Sequence, residues 1–344
     1  MDKDERERRA LLTVYSAPQL ELFTHQDRPD FRLARRGGPQ FGVEVTDIYP
    51  SDTHARVTNR PDYMPRLFGG GRHMAKEDYD ILKVVRVQVA DPDGTVVASD
   101  LPAIISEVPS ESARLAKLAS AIRTKSAKFS DYDGDLSHVN LIVVDHYSPI
   151  EDGFAPYSVS DTLGGGVREA LLGSPFREVF VVGRDLTGTV FYRPLYLIML
   201  MEQFSVLGHA IDAFEGPLAV RREQFSAIFV HAMLGSPLVL AYSDSPGGGY
   251  AVSRCKGVRL TDSAVELIDS SDFGGPKATP VPDLPMEPAV WEAFRVHHER
   301  FAATATMQVG IASKSATPDA EPFPPSSSMT LVVEQAEPTT DDGP

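Results

Sequence analysis

A chain of 344 residues with 42% hydrophobic and 24% charged side chains has the composition of a globular protein of one or two domains and excludes wholesale disorder. Its net charge of -15 argues against a protein that coats nucleic acid nonspecifically, because phosphate binding draws on Lys and Arg to release counterions. The single cysteine, Cys255, excludes an intramolecular disulfide and a cysteine-based zinc site. The longest apolar run, Leu195 to Met201, falls far short of the roughly 20 residues that span a bilayer, so no membrane role is expected. Met1 to Glu7 is a mixed charge run with no apolar stretch directly behind it, which predicts no targeting signal and a cytoplasmic location.

The segment from Glu5 to about Phe23 reads as a helix, with Leu11, Leu12, Tyr15, Leu20 and Phe23 at roughly helical spacing and Pro18 as a break or kink. Glu21 falls near its end. Pro29-Asp30-Phe31 then leads through a short basic loop to Phe41-Gly42-Val43-Glu44-Val45-Thr46, and both stretches alternate apolar and polar residues as strands do. Asp30 and Glu44 therefore project beside one another from neighbouring strands. Two such acids suit a hard divalent cation, Mg²⁺ or Mn²⁺, which takes oxygen ligands and commonly only one or two protein carboxylates. Taken singly, each has a plainer reading: an Asp after Pro as a turn former, a Glu on a strand as a solvated outer-face residue.

Between Arg28 and Arg86 lie Arg32, Arg35, Arg36, Arg56, Arg60, Arg66, Arg72, Lys76 and Lys83, a basic rim that suits a phosphodiester or else pairs with local acids such as Asp52, Asp62 and Asp78. Tyr49 to Asp78 is irregular in pattern, long enough for a lid or substrate loop, and its Gly69-Gly70-Gly71 lacks the Lys-Ser or Lys-Thr ending of a phosphate loop, leaving a hinge as the simpler account. Val84 to Val89 and Thr95 to Ala98 flank the turn Asp91-Pro92-Asp93-Gly94 and predict a hairpin completing the sheet. A helix follows over Ser110 to Phe129, its apolar Leu115, Leu118, Ala121 and Ile122 facing inward. Residues three apart share a helix face, so Lys125 stands above Ile122 and Lys128 continues the line. Val139 to Asp145 is a near-continuous apolar run, as a buried central strand requires.

Asp30, the gap and Glu44-Val45-Thr46 resemble the core of the PD-(D/E)XK nuclease superfamily, in which an acid and a Glu-X-Lys tripeptide sit on adjacent strands of a hairpin. Threonine stands here at the lysine position. Some members of the superfamily supply the lysine from the helix that crosses the sheet, and Lys125, or secondarily Lys128, is placed to do so. The resemblance implies an α/β, restriction-endonuclease-like mixed sheet flanked by helices. It also implies Asp30 and Glu44 as ligands of Mg²⁺ (or Mn²⁺) with the main-chain carbonyl of Val45, and Glu21 as an accessory acid on the first helix. The implied reaction is phosphodiester hydrolysis of nucleic acid, DNA ahead of RNA.

Past Asp145 the pattern predicts helices over Ser160 to Leu172, Leu195 to Phe214 and Arg221 to Leu234, with a strand at Glu178 to Val182. His209, His231, His297 and His298 lie in apolar helical surroundings and read as packed or surface histidines. The expected organisation is a nuclease-like core over 1–150, a mainly helical α/β extension over 151–311, and a disordered tail over 312–344 containing the apolar island Thr330-Leu331-Val332-Val333, a candidate edge strand. Two other readings compete with an enzyme. One keeps the fold as a catalytically silent module binding nucleic acid or protein; the other is an unrelated α/β structural or assembly protein whose acid pair is coincidental.

Overall fold

A computed structural model describes residues 3–15, 20–105, 110–132, 134–147, 157–158, 160–184, 189–214, 228, 231–233, 235–243, 249–254, 256–260, 265–269, 287–309, 313–314 and 331–335. In chain order the elements are α1 (Lys3–Val14), β1 (Leu20–His25), β2 (Phe31–Arg35), β3 (Gln40–Ile48), α2 (Asp52–Asn59), α3 (Tyr63–Phe68), α4 (Asp78–Ile81), β4 (Lys83–Ala90), β5 (Val96–Ile105), α5 (Glu111–Ser126) and β6 (Val139–Asp145). They continue with β7 (Tyr157–Ser158), α6 (Ser160–Leu163), α7 (Val167–Leu172), β8 (Val179–Arg184), β9 (Val190–Pro194), α8 (Leu195–Asp212), β10 (Val239–Ser243), β11 (Gly249–Ser253), β12 (Lys256–Leu260), β13 (Val265–Asp269), α9 (Pro288–Thr304), β14 (Ala305–Val309), β15 (Ser313–Lys314) and β16 (Leu331–Gln335).

The chain is an α/β protein built on one mixed sheet flanked by helices. Its strand order is β1-β2-β3-β6-β8-β9, with the two-residue β15 at the far edge. The first three strands form an antiparallel meander, β6 runs parallel to both β3 and β8, and β9 returns antiparallel. Alternation along the central strands separates two apolar layers. Phe41, Val43, Val45 and Ile142 pack with Ala10, Leu11 and Val14 of α1, whereas Ile48, Leu141 and Val143 pack with Leu115, Leu118 and Ile122 of α5. β6 is buried on both sides because helices cover both faces, which explains its unbroken apolar run.

Helix α5 starts where Ser110 accepts a hydrogen bond from the Ala113 N–H at 3.3 Å, a serine N-cap. It ends at Ser126, and a short 3-10 turn over Phe129–Asp131 replaces the last residues of the expected helix. Gly42 serves close packing on β3: a Cβ there would stand 2.5 Å from Pro29 Cγ and 3.0 Å from Leu136. The missing side chain lets the Pro29-Asp30 corner lie against the sheet.

Several expectations are corrected. The N-terminal helix stops at Val14, and Leu20 to Phe23 belong to strand β1, whose Leu-Glu-Leu alternation suits an edge strand as well as it suits a helix. The Asp91–Gly94 hairpin forms, but β4 and β5 make a two-stranded sheet of their own and do not complete the main one. The predicted helix over Ser160 to Leu172 is two short helices parted at glycines, with Gly165 and Gly166 at positive φ of 57° and 83°. The segment 151–311, expected as an α/β or helical extension, is not mainly helical: it adds β8 and β9 to the same sheet as the N-terminal strands and carries the four-stranded antiparallel sheet β10-β11-β12-β13.

Leu331–Gln335 pairs antiparallel with β14 at the edge of a three-stranded sheet, where an apolar island was read as a candidate edge strand. Pro18, Cys255, most of the helix expected over Arg221 to Leu234 and most of the tail lie outside the described residues.

Tyr49 to Asp78, expected as an irregular lid or substrate loop, instead folds with the residues up to Leu82 into α2, α3 and α4 around Tyr63, Leu67 and Leu82. At their centre Asp78, fully buried, accepts hydrogen bonds from Thr53 Oγ1 at 2.8 Å, Arg56 Nη2 at 2.6 Å, the Ala75 N–H at 3.1 Å and the Tyr63 hydroxyl. Gly69 to Gly71 close helix α3 by returning N–H groups to Pro65, Leu67 and Arg66, so the triplet is a helix terminus rather than a hinge.

Candidate metal centre

The register of the first hairpin builds the site. Phe31 lies opposite Val43 on β2 and β3, so Asp30, one residue earlier, falls opposite Glu44, one residue later. Directly opposed residues on antiparallel strands project to the same face. Phe31 and Val43 are committed to the α1 layer, and Asp30 and Glu44 consequently face the side crossed by α5. Both acids are buried, at 8% and 7% exposure. One oxygen of Asp30, Oδ2, accepts the Val45 N–H at 2.8 Å, which ties the acid across the hairpin.

Helix α5 delivers the cation. Ile122 is fully buried under the helix, and three residues on, the Lys125 ammonium donates to Glu44 Oε1. Glu44 Oε2 is buried with no hydrogen-bond partner at ordinary geometry, and the Tyr132 phenol is the polar group that approaches this carboxylate. Burial first, and then the neighbouring charge of Glu44, push the Asp30 carboxyl up to about 6; the Val45 N–H opposes this, Glu7 adds to it, and Lys125 opposes it. Tyr132, just past α5, stands in the same field, and burial together with the charges of Glu44 and Asp30 raises its phenol. Arg32 shares the face of Asp30 two residues along β2 and pairs with Asp135, and Arg28 lies 3.6 Å from Asp131, so the basic rim nearest the acids is engaged locally. Arg56 belongs instead to the Asp78 cluster.

The structure thus brings together Asp30, Glu44 and Lys125. Thr46, half-buried opposite Val143 of β6, is the next residue after Glu44 on the same face. Lys128 is exposed at the start of the 3-10 turn. Glu21 is corrected: it lies on β1, exposed, and its Oε2 accepts the Gly37 N–H of the β2–β3 loop at 3.0 Å. A strand there turns this residue toward the loop, away from the position that a first-helix acid would hold.

The acid that α1 does contribute is Glu7, whose charge acts on Asp30, with Lys3 3.1 Å from its Oε1. Glu7 lies within the expected helix but also within a mixed charge run, where a carboxylate reads as solvated. The available signal was helical: Glu7, Ala10, Leu11 and Val14 share one buried face of α1. The histidines make packing contacts: His209 Nδ1 meets its own helix at Ser205 O, His297 Nε2 meets Ala210 O at 3.0 Å, and His231 lies against Trp291.

The oxygen-only pair of Asp30 and Glu44 fits a hard divalent cation on its donor chemistry. Buried like charges and an unpartnered Glu44 Oε2 are the features such an ion would neutralise. Comparison with protein-family models, curated proteins and solved structures finds no match. No helix among the described residues is long and apolar enough to cross a membrane.

Proposed function

We propose that the hairpin acids and Lys125 form the active site of a metal-dependent nuclease hydrolysing phosphodiester bonds, with DNA favoured over RNA. The observation that carries this reading is the convergence of three side chains from three elements: two buried acids opposed across β2 and β3, and an ammonium from α5 seated on one of them. The threonine at the lysine position of the nuclease motif is thereby answered by a cation from the crossing helix. The order of elements, an acidic hairpin followed by a crossing helix and a buried parallel strand, also supports the superfamily resemblance.

Asp30 and Glu44, with the Val45 carbonyl, would hold Mg²⁺ or Mn²⁺. When bound, the ion lowers the pKa of a coordinated water and offsets phosphate charge. The Val45 N–H fixes the orientation of the Asp30 carboxylate through Oδ2. Lys125, seated on Glu44 Oε1, would place a positive charge where a phosphate approaches, a preorganised electrostatic contribution.

Incubation of the purified chain with supercoiled plasmid and with single-stranded DNA and RNA oligonucleotides, in Mg²⁺ or Mn²⁺, tests the reading. Metal-dependent cleavage is expected, reduced by about a thousandfold in Glu44→Ala and by about a hundredfold in Lys125→Ala. A silent binding module is the second reading, favoured by the direct pairing of Lys125 with Glu44, which neutralises both. Nucleic-acid binding by the native chain and both variants without cleavage by any of them would establish it.

A further inference from the structure

Glu7 does more than add charge beside Asp30. We propose that Asp4, Glu7 and His25 form a second cation site, suited to a borderline first-row ion such as Zn²⁺, which clasps helix α1 to strand β1.

Asp4 and Glu7 are three residues apart in the first turns of α1 and share a helix face, and His25 ends the neighbouring strand β1. One donor atom from each lies within 4.8 Å of the others. Acidic groups near one another are common, so the argument rests on Glu7. Its side chain is only 7% exposed, its Oε2 has no hydrogen-bond partner, and that oxygen stands 3.5 Å from His25 Nε2, at the centre of the cluster. A buried carboxylate oxygen left without a donor is costly, and a bound cation would relieve that cost.

Lys3 does not supply the missing partner. Its ammonium lies 3.1 Å from the other oxygen, Oε1, and its side chain is 71% exposed, so Oε2 is left facing His25 alone. Zinc–ligand bonds of about 2.0 to 2.2 Å set donor atoms about 3.5 Å apart, which Glu7 Oε2 and His25 Nε2 already match, and the exposed Asp4 would close the remainder while His25 keeps its contact with Phe31. Three protein ligands leave a fourth position for water. The imidazole sets the metal preference: a nitrogen donor favours Zn²⁺, whereas the all-oxygen pair of Asp30 and Glu44 favours Mg²⁺. The two sites are neighbours with different chemistry, and this one stands whether or not the hairpin acids bind a cation.

The test uses the full chain stripped with chelator and desalted, carrying Glu44→Gln so that the hairpin acids are weakened as ligands, and titrated with Zn²⁺ by calorimetry near neutral pH. One Zn²⁺ per chain is expected at micromolar concentration. Adding His25→Asn should weaken binding by about tenfold or more. His25 is exposed, and an unchanged circular dichroism spectrum would show that this variant folds. Co²⁺ gives a second readout: visible bands of tetrahedral coordination in the Glu44→Gln chain, lost with His25→Asn. Absence of Zn²⁺ binding by the Glu44→Gln chain, or equal binding with and without His25, would overturn the proposal.

Discussion

Asp30 and Asp78 are both buried aspartates, and their surroundings treat them in opposite ways. Asp78 sits among donors: burial alone would push its carboxyl up, but Arg56, the Tyr63 and Thr53 hydroxyls and the Ala75 N–H outweigh it and hold the group well below the usual carboxylate range. Asp30 has one backbone donor and a second acid for a neighbour, and its carboxyl is pushed up to about 6 by burial and by Glu44. The first arrangement stabilises a small helical subdomain. The second leaves Asp30 without a cationic partner of its own, the arrangement the proposed metal site would use.

The contrast yields predictions of opposite sign. Asp78→Ala leaves Arg56 and Tyr63 without their buried acceptor and should cost about 3 to 5 kcal/mol in urea denaturation. A loss below about 1 kcal/mol would remove Asp78 from its structural role. Asp30→Asn, whose amide oxygen can still accept the Val45 N–H, should instead stabilise the metal-free chain near neutral pH by about 2 to 3 kcal/mol, because about two pKa units at about 1.4 kcal/mol each are no longer spent on ionising the native acid.

The same two groups set the pH dependence. Asp30 is raised in the folded state, so the native protein binds more protons than the unfolded chain between its ordinary value of 3.8 and about 6, and its contribution to stability falls as pH rises through that window. Asp78 is lowered, so its contribution is present above its ordinary value of 3.8 and is lost as pH falls below it. Denaturation of the metal-free protein across this range should show Asp30→Asn flattening the decline toward neutral pH while leaving the acid limb in place.

A smaller effect is expected at Gly42. An alanine Cβ would meet Pro29 Cγ at 2.5 Å, so Gly42→Ala should displace the corner that carries Asp30 and cost about 1 to 3 kcal/mol. Unchanged stability in a thermal melt would show that the corner has room to move.

The acidic hairpin was legible in the sequence because period-two alternation fixes which side chains share a face, and Asp30 and Glu44 needed only that and a register. Lys125 was legible through its spacing from Ile122 on α5, and the structure seats it on Glu44. Other features depended on tertiary context. Leu20, Leu22 and Phe23 carry an apolar pattern that fits either a helix or an edge strand, and pairing with β2 decides it, taking Glu21 away from the acids. The turn chemistry of Asp91–Gly94 specifies a hairpin but says nothing of which sheet it joins, and β4 and β5 pair only with each other among the described residues. Glu7 was hidden for a different reason: a charged residue in a charged run reads as solvated until the helix turns it onto the buried face.

Anomalous scattering from crystals of the full chain soaked in Mn²⁺ tests the central claim most directly. The account predicts a peak bridging the Asp30 and Glu44 carboxylates within bonding distance of both, absent in Glu44→Ala. Crystals that take up Mn²⁺ only at Asp4, Glu7 and His25, or that show no ion against the hairpin acids at saturating Mn²⁺, would contradict it.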